Sequence, residues 1–350
     1  MPGKQSVNIS NIEMIKDRSG YNDAVARARS AVYIILALSF IIFVVIAAIA
    51  IFNEGLDNFV ATFRSINLWY YLAALAIIFL SYTMRYPKWS MYLRRLGVRI
   101  GTARNYVIYM SMYSMDMTPG RWGRAIVSYT INRIARVKFA VTFPAVVADI
   151  FTDFLGFAVI TDAMAVIVGK FILLSFVLTF LLMVPFFFVY VKSPFDYVKG
   201  KVMTLKKRFG FLKKLDLIFY TAELYFKHNK KLRGSAFVYS MVLTIPSMFL
   251  NGMALYFTML ALGVPVDIAS IPTIIFIFSS SLVLGMITGI PGTLGVTDAA
   301  LISQLQFFFS GEINLGLASA ITIFFRIASV WFVQGFGFAA FTYTLKYWKD

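Results

Sequence analysis

Thr118-Pro119-Gly120-Arg121 interrupts one long, largely apolar stretch, Tyr106 to Ile134, and Gly289-Ile290-Pro291-Gly292 interrupts another, Ile268 to Ser310. A proline lacks a backbone donor and the glycine after it frees the next φ, so each pair ends a helix. Within a bilayer such a break survives only where protein or water surrounds it, because lipid offers no partner to the released backbone groups. Both stretches therefore read as re-entrant helical hairpins, with tips at Pro119-Gly120 and Pro291-Gly292. The alternative is two ordinary kinks or loops that share a sequence by coincidence.

Around these hairpins lie six runs close to the roughly 20 residues needed to cross a hydrocarbon core about 30 Å thick. They are Ala31 to Phe52, Ile66 to Met84, Phe139 to Ile160, Phe171 to Val191, Ala236 to Leu260 and Leu317 to Leu345. The first is too long for the apolar core of a signal peptide and follows a polar segment, so it reads as a retained span. Composition agrees: the chain is 60% hydrophobic and 14% charged, with a mean hydropathy of +0.77, against about 25% charged residues in soluble domains. The expected fold is an all-α polytopic membrane protein of about six full spans plus two re-entrant hairpins. With no cysteine and a single histidine, His228, there is almost no material for thiolate or histidine metal sites, cysteine nucleophiles or a Ser/His relay.

The net charge of +17 tests the topology. With a cytoplasmic N-terminus, Met1 to Ser30, Arg85 to Arg104, Arg121 to Lys138, Lys192 to Arg233 and the tail from Lys346 fall inside and hold 30 of the 33 Lys+Arg. Arg64 and Lys170 fall outside and Arg326 lies within a span, so one orientation satisfies the positive-inside rule. That orientation requires the first hairpin to begin and end inside and the second to begin and end outside. Residues 1–30 then form a cytoplasmic segment, and residues 31–160 and 171–345 form two membrane repeats of the same plan in opposite orientation. Inverted repeats put a substrate site near the midplane where broken helices meet. Residues 192–235 form a basic, amphipathic cytoplasmic loop, suited to an anionic leaflet or simply to setting topology. It bears no nucleic-acid fold signature.

Ionisable residues inside spans or at helix breaks carry the functional signal, because each costs about 2.5–3.5 kcal/mol or more in the membrane and so faces a cavity or a partner. Asp149 and Asp153 stand four apart on one helical face, Asp116, Arg121 and Arg124 surround the first break, Asp298 follows the second, and Arg326 sits mid-span. For Arg326 two readings stand together: a buried pair with an acid such as Asp298, and contact with an anionic headgroup. Asp149 and Asp153 could be structural, or could share a proton. Arg121 and Arg124 offer planar bidentate contacts to phosphate. Asp162 reads as interfacial.

These landmarks resemble the flippase-like transmembrane domain of bacterial lysyl-phosphatidylglycerol synthases over roughly Ala31 to Tyr347. The motifs are Arg85 with Trp89 and Leu93-Arg94-Arg95-Leu96-Gly97; Thr118-Pro119-Gly120-Arg121-Trp122-Gly123; Asp149 and Asp153; Gly289 to Asp298; and Arg326 with Trp331. The chain departs from the family pattern in reading Asp149-Ile150 where a Glu-Arg pair is usual, which gives Asp149 a different partner. Arg124 stands where a glutamate is common, reversing the charge, and Thr293 and Asp298 replace a common glycine and glutamate. The resemblance implies the flippase-type part without an aminoacyltransferase domain, in the cell membrane.

The expected function is movement of a phospholipid or polyprenyl-phosphate-linked lipid between leaflets, through a groove lined by Arg121, Arg124, Asp149, Asp153, Asp298 and Arg326, with the Pro-Gly tips as moving elements. Anionic membrane lipids are the expected partners, nucleic acid is not, and a homo-oligomer is compatible. No enzymatic activity, metal or other cofactor is expected, and without a Walker-type motif the energy source would be a gradient or none. Rival readings are a membrane-embedded enzyme using Asp149 and Asp153 on a lipid phosphate, and a lipid-binding accessory subunit.

Overall fold

The computed structural model describes residues 64–190 and 225–347 continuously, with further positions between 41 and 61, between 192 and 200, and at 223. The segment 1–30 expected to be cytoplasmic, most of the expected span Ala31 to Phe52 and most of the expected basic loop lie outside the described residues. Every regular element among the described residues is helical.

Helix α1 (Leu68–Met84) begins at Asn67, whose side chain accepts from the amides of Trp69 and Tyr70. It meets α2 (Tyr86–Arg95) at Arg85, so that the two make a 28-residue stretch, Leu68–Arg95. The first Pro-Gly break lies between α3 (Thr102–Ser111) and α4 (Ile126–Ala135), joined through short 3-10 turns at Met112–Met115 and Pro119–Ala125. Then come α5 (Phe139–Val168), α6 (Ile172–Tyr190) and α7 (Ser235–Ala261). The second break, at Pro291–Thr293, separates α8 (Ile271–Ile287) from α9 (Val296–Phe308). Last are α10 (Leu315–Arg326) and α11 (Phe332–Tyr347), linked by a π-helical turn at Ile327–Trp331.

Four of the six expected crossings coincide with helices long and apolar enough to cross a membrane: Leu68–Arg95, Phe139–Val168, Ser235–Ala261 and Leu315–Lys346. The crossing expected at Phe171 to Val191 is α6, with a shorter apolar part at Ile172–Val184. A fifth helix of spanning length is Ile268–Ile287, the first arm of the second break. Its 20 residues extend about 30 Å at 1.5 Å per residue. A Pro-Gly pair marks where a helix stops and carries no information on how deep it has come.

Helix α5 is the centre of the bundle. It is buried along most of its length, packs against α7 and α8, and holds Asp149 and Asp153 at full burial. Helices α1 and α6 turn large apolar side chains outward, among them Trp69, Leu80, Leu173 and Phe180, as a lipid-facing surface requires. Helix pairs approach closely through small residues, since between apolar helices in lipid it is packing that holds them together. A Cβ on Gly252 of α7 would stand 2.7 Å from Ile275 Cγ1 of α8, and one on Gly156 of α5 would stand 2.6 Å from Thr244 Cγ2 of α7. Polar ties add direction: the Ser81 hydroxyl donates to the Ser247 carbonyl at 2.8 Å and the Tyr71 hydroxyl to the Phe324 carbonyl at 3.1 Å.

The tightest approach to backbone is at Gly337 in α11, where an added Cβ would run into the main chain of Tyr113 and Ser114. Backbone cannot swing aside as a side chain can, so Gly337→Ala should lower unfolding stability by about 1–3 kcal/mol. Gly335, two residues away on the same helix, has open space around its would-be Cβ, and Gly335→Ala should be neutral or stabilising by up to ~1 kcal/mol. Thermal unfolding of the two variants in detergent checks the pair; equal midpoints would remove the close approach as a determinant of the fold.

Candidate functional site

The two breaks adopt the same local conformation. In each, an extended residue (Thr118, Ile290) precedes proline, as the proline ring demands. Gly120 and Arg121 then take φ of 58° and 59°, and Gly292 and Thr293 take 63° and 56°. The third amide after each extended residue closes a turn: Arg121 N to Thr118 O at 2.8 Å, and Thr293 N to Ile290 O at 2.9 Å. Glycine adopts this left-handed region freely, but arginine and the β-branched threonine are strained there.

The strain at Arg121 is held by charges. Helix α5 presents Asp149 and Asp153 one turn apart, and four cations converge on them. Asp153 accepts from Lys88 at 2.6 Å, from Arg85 and Arg124 at 2.9 Å each, and from Arg121 at 3.4 Å. Asp149 meets Arg124 at 2.7 Å and Lys88 at 3.2 Å. Asp116 completes the network, pairing closely with Arg124 Nε and at 3.7 Å with Arg121. Lys88 also donates to the hydroxyls of Thr152 and Thr244. Aromatic faces collar the guanidinium groups: Tyr82 lies 4.2 Å from Arg85 and Tyr113 lies 4.8 Å from Arg124, and such contacts favour a cation most when it is desolvated.

A second, smaller centre stands at the other break. Arg326 Nε donates to Asp298 Oδ1, and Asp298 Oδ2 accepts from the Gly295 amide at 2.9 Å. Asp298 therefore caps the start of α9 and ties it to the last residue of α10, just before the π-helical turn.

Between the two breaks opens a cleft whose empty volume is about 870 Å³, including its mouth. Asp116 and Arg121 line it on one side and Arg326 on the other, with Phe154, Phe157, Phe278 and Phe325 as walls. The two tips touch across it, where Met117 and Leu294 pack with Val330.

The structure brings Arg121, Arg124, Asp149 and Asp153 into one network and Asp298 and Arg326 into one pair. Of these six, Arg121 and Arg326 line the cleft, while Arg124, Asp149 and Asp153 lie fully buried behind its wall. The groove wall expected from sequence is thus narrower in charge than the six residues suggested. Asp149 takes Arg124 and Lys88 as partners, in place of an intramembrane arginine on its own helix. Each of the four carboxylate oxygens of the acid pair stands within 3.2 Å of a cation. Asp162, half-buried, accepts from the Thr179 hydroxyl at 3.2 Å.

Arg85 and Lys88, which the sequence reading counted only among the charges on the cytoplasmic side, are 1% and 0% exposed, because α2 follows α1 through Arg85 alone and sets both cations against Asp153 of α5. Their spacing of three residues puts both on one face, together with Trp89 and Tyr92, which are also buried. That shared face was the available signal.

Two comparisons bear on this geometry. The family model described as "Lysylphosphatidylglycerol synthase TM region" matches residues 34–337. A curated protein of Methanothermobacter thermautotrophicus described as "UPF0104 membrane protein" is 23% identical over 326 residues, covering 88% of this chain and 95% of that one.

Removing one partner from a buried ion network leaves charge without a counter-ion and destabilises by about 3–5 kcal/mol. Asp153→Asn, which strips the shared acceptor of four cations, should fall in that range, while Asp162→Asn should stay within about 0.5 kcal/mol, as surface changes do. Unfolding midpoints in detergent compare the two, and equal tolerance of both substitutions would contradict the network's structural role.

Proposed function

This chain belongs to the lysylphosphatidylglycerol synthase TM-region family, and from that premise we propose that it transports lipid, moving a phospholipid or a polyprenyl-phosphate-linked lipid between the leaflets of the cell membrane. The observation that carries the reading is the cleft between the two helix breaks, with an arginine on either side and phenylalanine walls. A headgroup crossing the hydrocarbon needs a polar, water-accessible path while its tails stay in lipid, and broken helices are tolerated in the membrane where they line such a path.

In this reading both breaks are re-entrant tips of two inverted repeats, and both termini are cytoplasmic. Support comes from the matching turns at Pro119-Gly120-Arg121 and Pro291-Gly292-Thr293 and from the distribution of basic residues along the sequence. The first tip is anchored by the seven-residue network and the second by one ion pair next to a π-helical turn, a feature frequent at functional sites. The second tip is therefore the element that moves, and the packing of Met117, Leu294 and Val330 is the contact that opens.

The enzyme reading is disfavoured by the surroundings of Asp149 and Asp153. A divalent metal on that pair would sit among four cations that already hold the carboxylate oxygens.

Proteoliposomes with headgroup-labelled lipids test transport directly. Wild type should move an anionic lipid faster than empty vesicles, and Arg326→Ala and Asp298→Ala, once their reconstitution is verified, should not. Because the chain has no cysteine, Met117→Cys with Leu294→Cys gives a cross-link free of background. Cross-linking should stop the movement and reduction should restore it. No lipid moving above the empty-vesicle rate, or full movement after complete cross-linking, would overturn the proposal.

A further inference from the structure

The ion network holds more positive charge than negative. Arg85, Lys88, Arg121 and Arg124 are four cations against the three carboxylates Asp116, Asp149 and Asp153 among the described residues. Donors are in excess as well, since Arg85 Nη2 and Arg124 Nη2 are buried without an acceptor. A buried charge without a counter-ion is costly in low dielectric. Guanidinium groups keep their protons in proteins, whereas an ammonium can give one up on burial. Loss of one proton from Lys88 leaves three guanidinium groups against three carboxylates, and among the described residues Lys88 is the one member of the network whose proton can close the count.

Lys88 also has a route by which to pass that proton on. Its Nζ lies 2.6 Å from Asp153 and 3.2 Å from Asp149 of α5, 3.1 Å from the Thr152 hydroxyl of the same helix, and 3.2 Å from the Thr244 hydroxyl of α7. Arg85 from its own stretch and Arg121 and Arg124 from the first tip, with Asp116, are the other charges around the two acids, and Tyr82 and Tyr113 face the guanidinium groups. From Thr152 a step of 3.4 Å leads to the Tyr92 hydroxyl, which stands beside that of Ser240. Tyr92, Thr152 and Ser240 are all buried. Thr152 and Ser240 donate to carbonyls of their own helices, Ala148 at 2.8 Å and Ala236 at 2.6 Å, so their lone pairs stay open to accept. Ser240 follows the exposed Ser235, the first residue of α7, by about 7.5 Å of helix rise. At the other end, Arg121 both meets Asp153 at 3.4 Å and lines the cleft. A line of exchangeable groups thus runs from the cleft toward the start of α7, and ionisable chains inside membrane proteins mark proton paths.

Building on the transport reading above, we infer that Lys88 is a proton carrier, and that a proton passing along Asp153, Lys88, Thr152, Tyr92 and Ser240 couples the protein to a proton gradient. A proton enters from the cleft at Asp153 when Arg121 moves aside, which makes a neutral carboxylic acid. It passes to the Lys88 amine, restoring the ammonium and the carboxylate. Lys88 then gives a proton to Thr152 as Thr152 gives its own to Tyr92, Tyr92 to Ser240, and Ser240 to water at the start of α7. Each hydroxyl ends with the proton it received, and no electron changes hands.

Proton entry into proteoliposomes, read by a trapped pH-sensitive dye under an inside-negative potassium diffusion potential, tests this. In vesicles of phosphatidylethanolamine and phosphatidylglycerol, wild type should acidify the lumen faster than empty vesicles do. Lys88→Met removes the carrier and leaves the charges three against three, so it should keep the wild-type thermal midpoint and return proton entry to the empty-vesicle rate. Tyr92→Phe keeps the ring and removes one hydroxyl of the path, so it should lose most of the protein-dependent entry, and it decides the matter if Lys88→Met does not fold. Entry in wild type no faster than in empty vesicles, or entry unchanged in Tyr92→Phe or in folded Lys88→Met, overturns the inference. Labelled-lipid movement in the same vesicles separates the two readings: proton entry without lipid movement retires transport and leaves the relay standing, and lipid movement without proton entry does the reverse.

Discussion

The convergence of four cations on Asp153 is the contact on which the rest of the structure depends. Those cations come from the α1–α2 junction and from the first Pro-Gly tip, while the carboxylate comes from the central helix α5. One buried acid thus fixes three segments that are far apart in sequence. In a medium where helices gain nothing from excluding water, directional charge contacts and close packing of small residues must supply that registration. The same contacts hold Arg121 in a left-handed conformation that a free chain would leave.

The two tips share a backbone turn but not a mode of restraint. At the first, Arg121 and Arg124 engage Asp116, Asp149 and Asp153 together. At the second, Thr293 occupies the position equivalent to Arg121, and the tip has no charge of its own until Asp298. Asp298 faces two demands, the cap of α9 and the pair with Arg326, so a shift of α9 is felt at once by α10. The difference lies in side chains attached to the same turn: five charged groups engage one another at the first tip and a single ion pair stands at the second.

Much of this was legible in the sequence because membrane helices obey length and hydropathy, which are local properties. The Pro-Gly breaks at residues 119–120 and 291–292 were legible for the same reason, as was the candidate partnership of Arg326 and Asp298. What stayed hidden was non-local. Lys88 and Asp153 are 65 positions apart, and nothing near either residue names the other. Arg85 and Lys88 follow an apolar span and match the profile of a cytoplasmic flank, so the positive-inside count absorbed them. Only the continuation of α1 into α2 turns them inward. The division between Arg121, on the cleft, and Arg124, behind it, was equally beyond reach, since both follow the same break three residues apart.

Seven ionised groups are a poor way to hold helices together if holding is all they do. Well-packed apolar side chains of similar volume would stabilise a buried site as well or better, and the surrounding helices already pack through Gly156, Gly252 and Gly337. A purely structural network would also be expected to close on itself, with each cation matched by an acid. Among the described residues this one leaves a positive charge in surplus, and the part of it that reaches the cleft is Arg121 with Asp116 beside it. Stability accounts for Asp149, Asp153, Arg124 and Lys88 once the charge is present. It does not account for the charge being there, and among the described residues the network reaches open space at the cleft between the two tips.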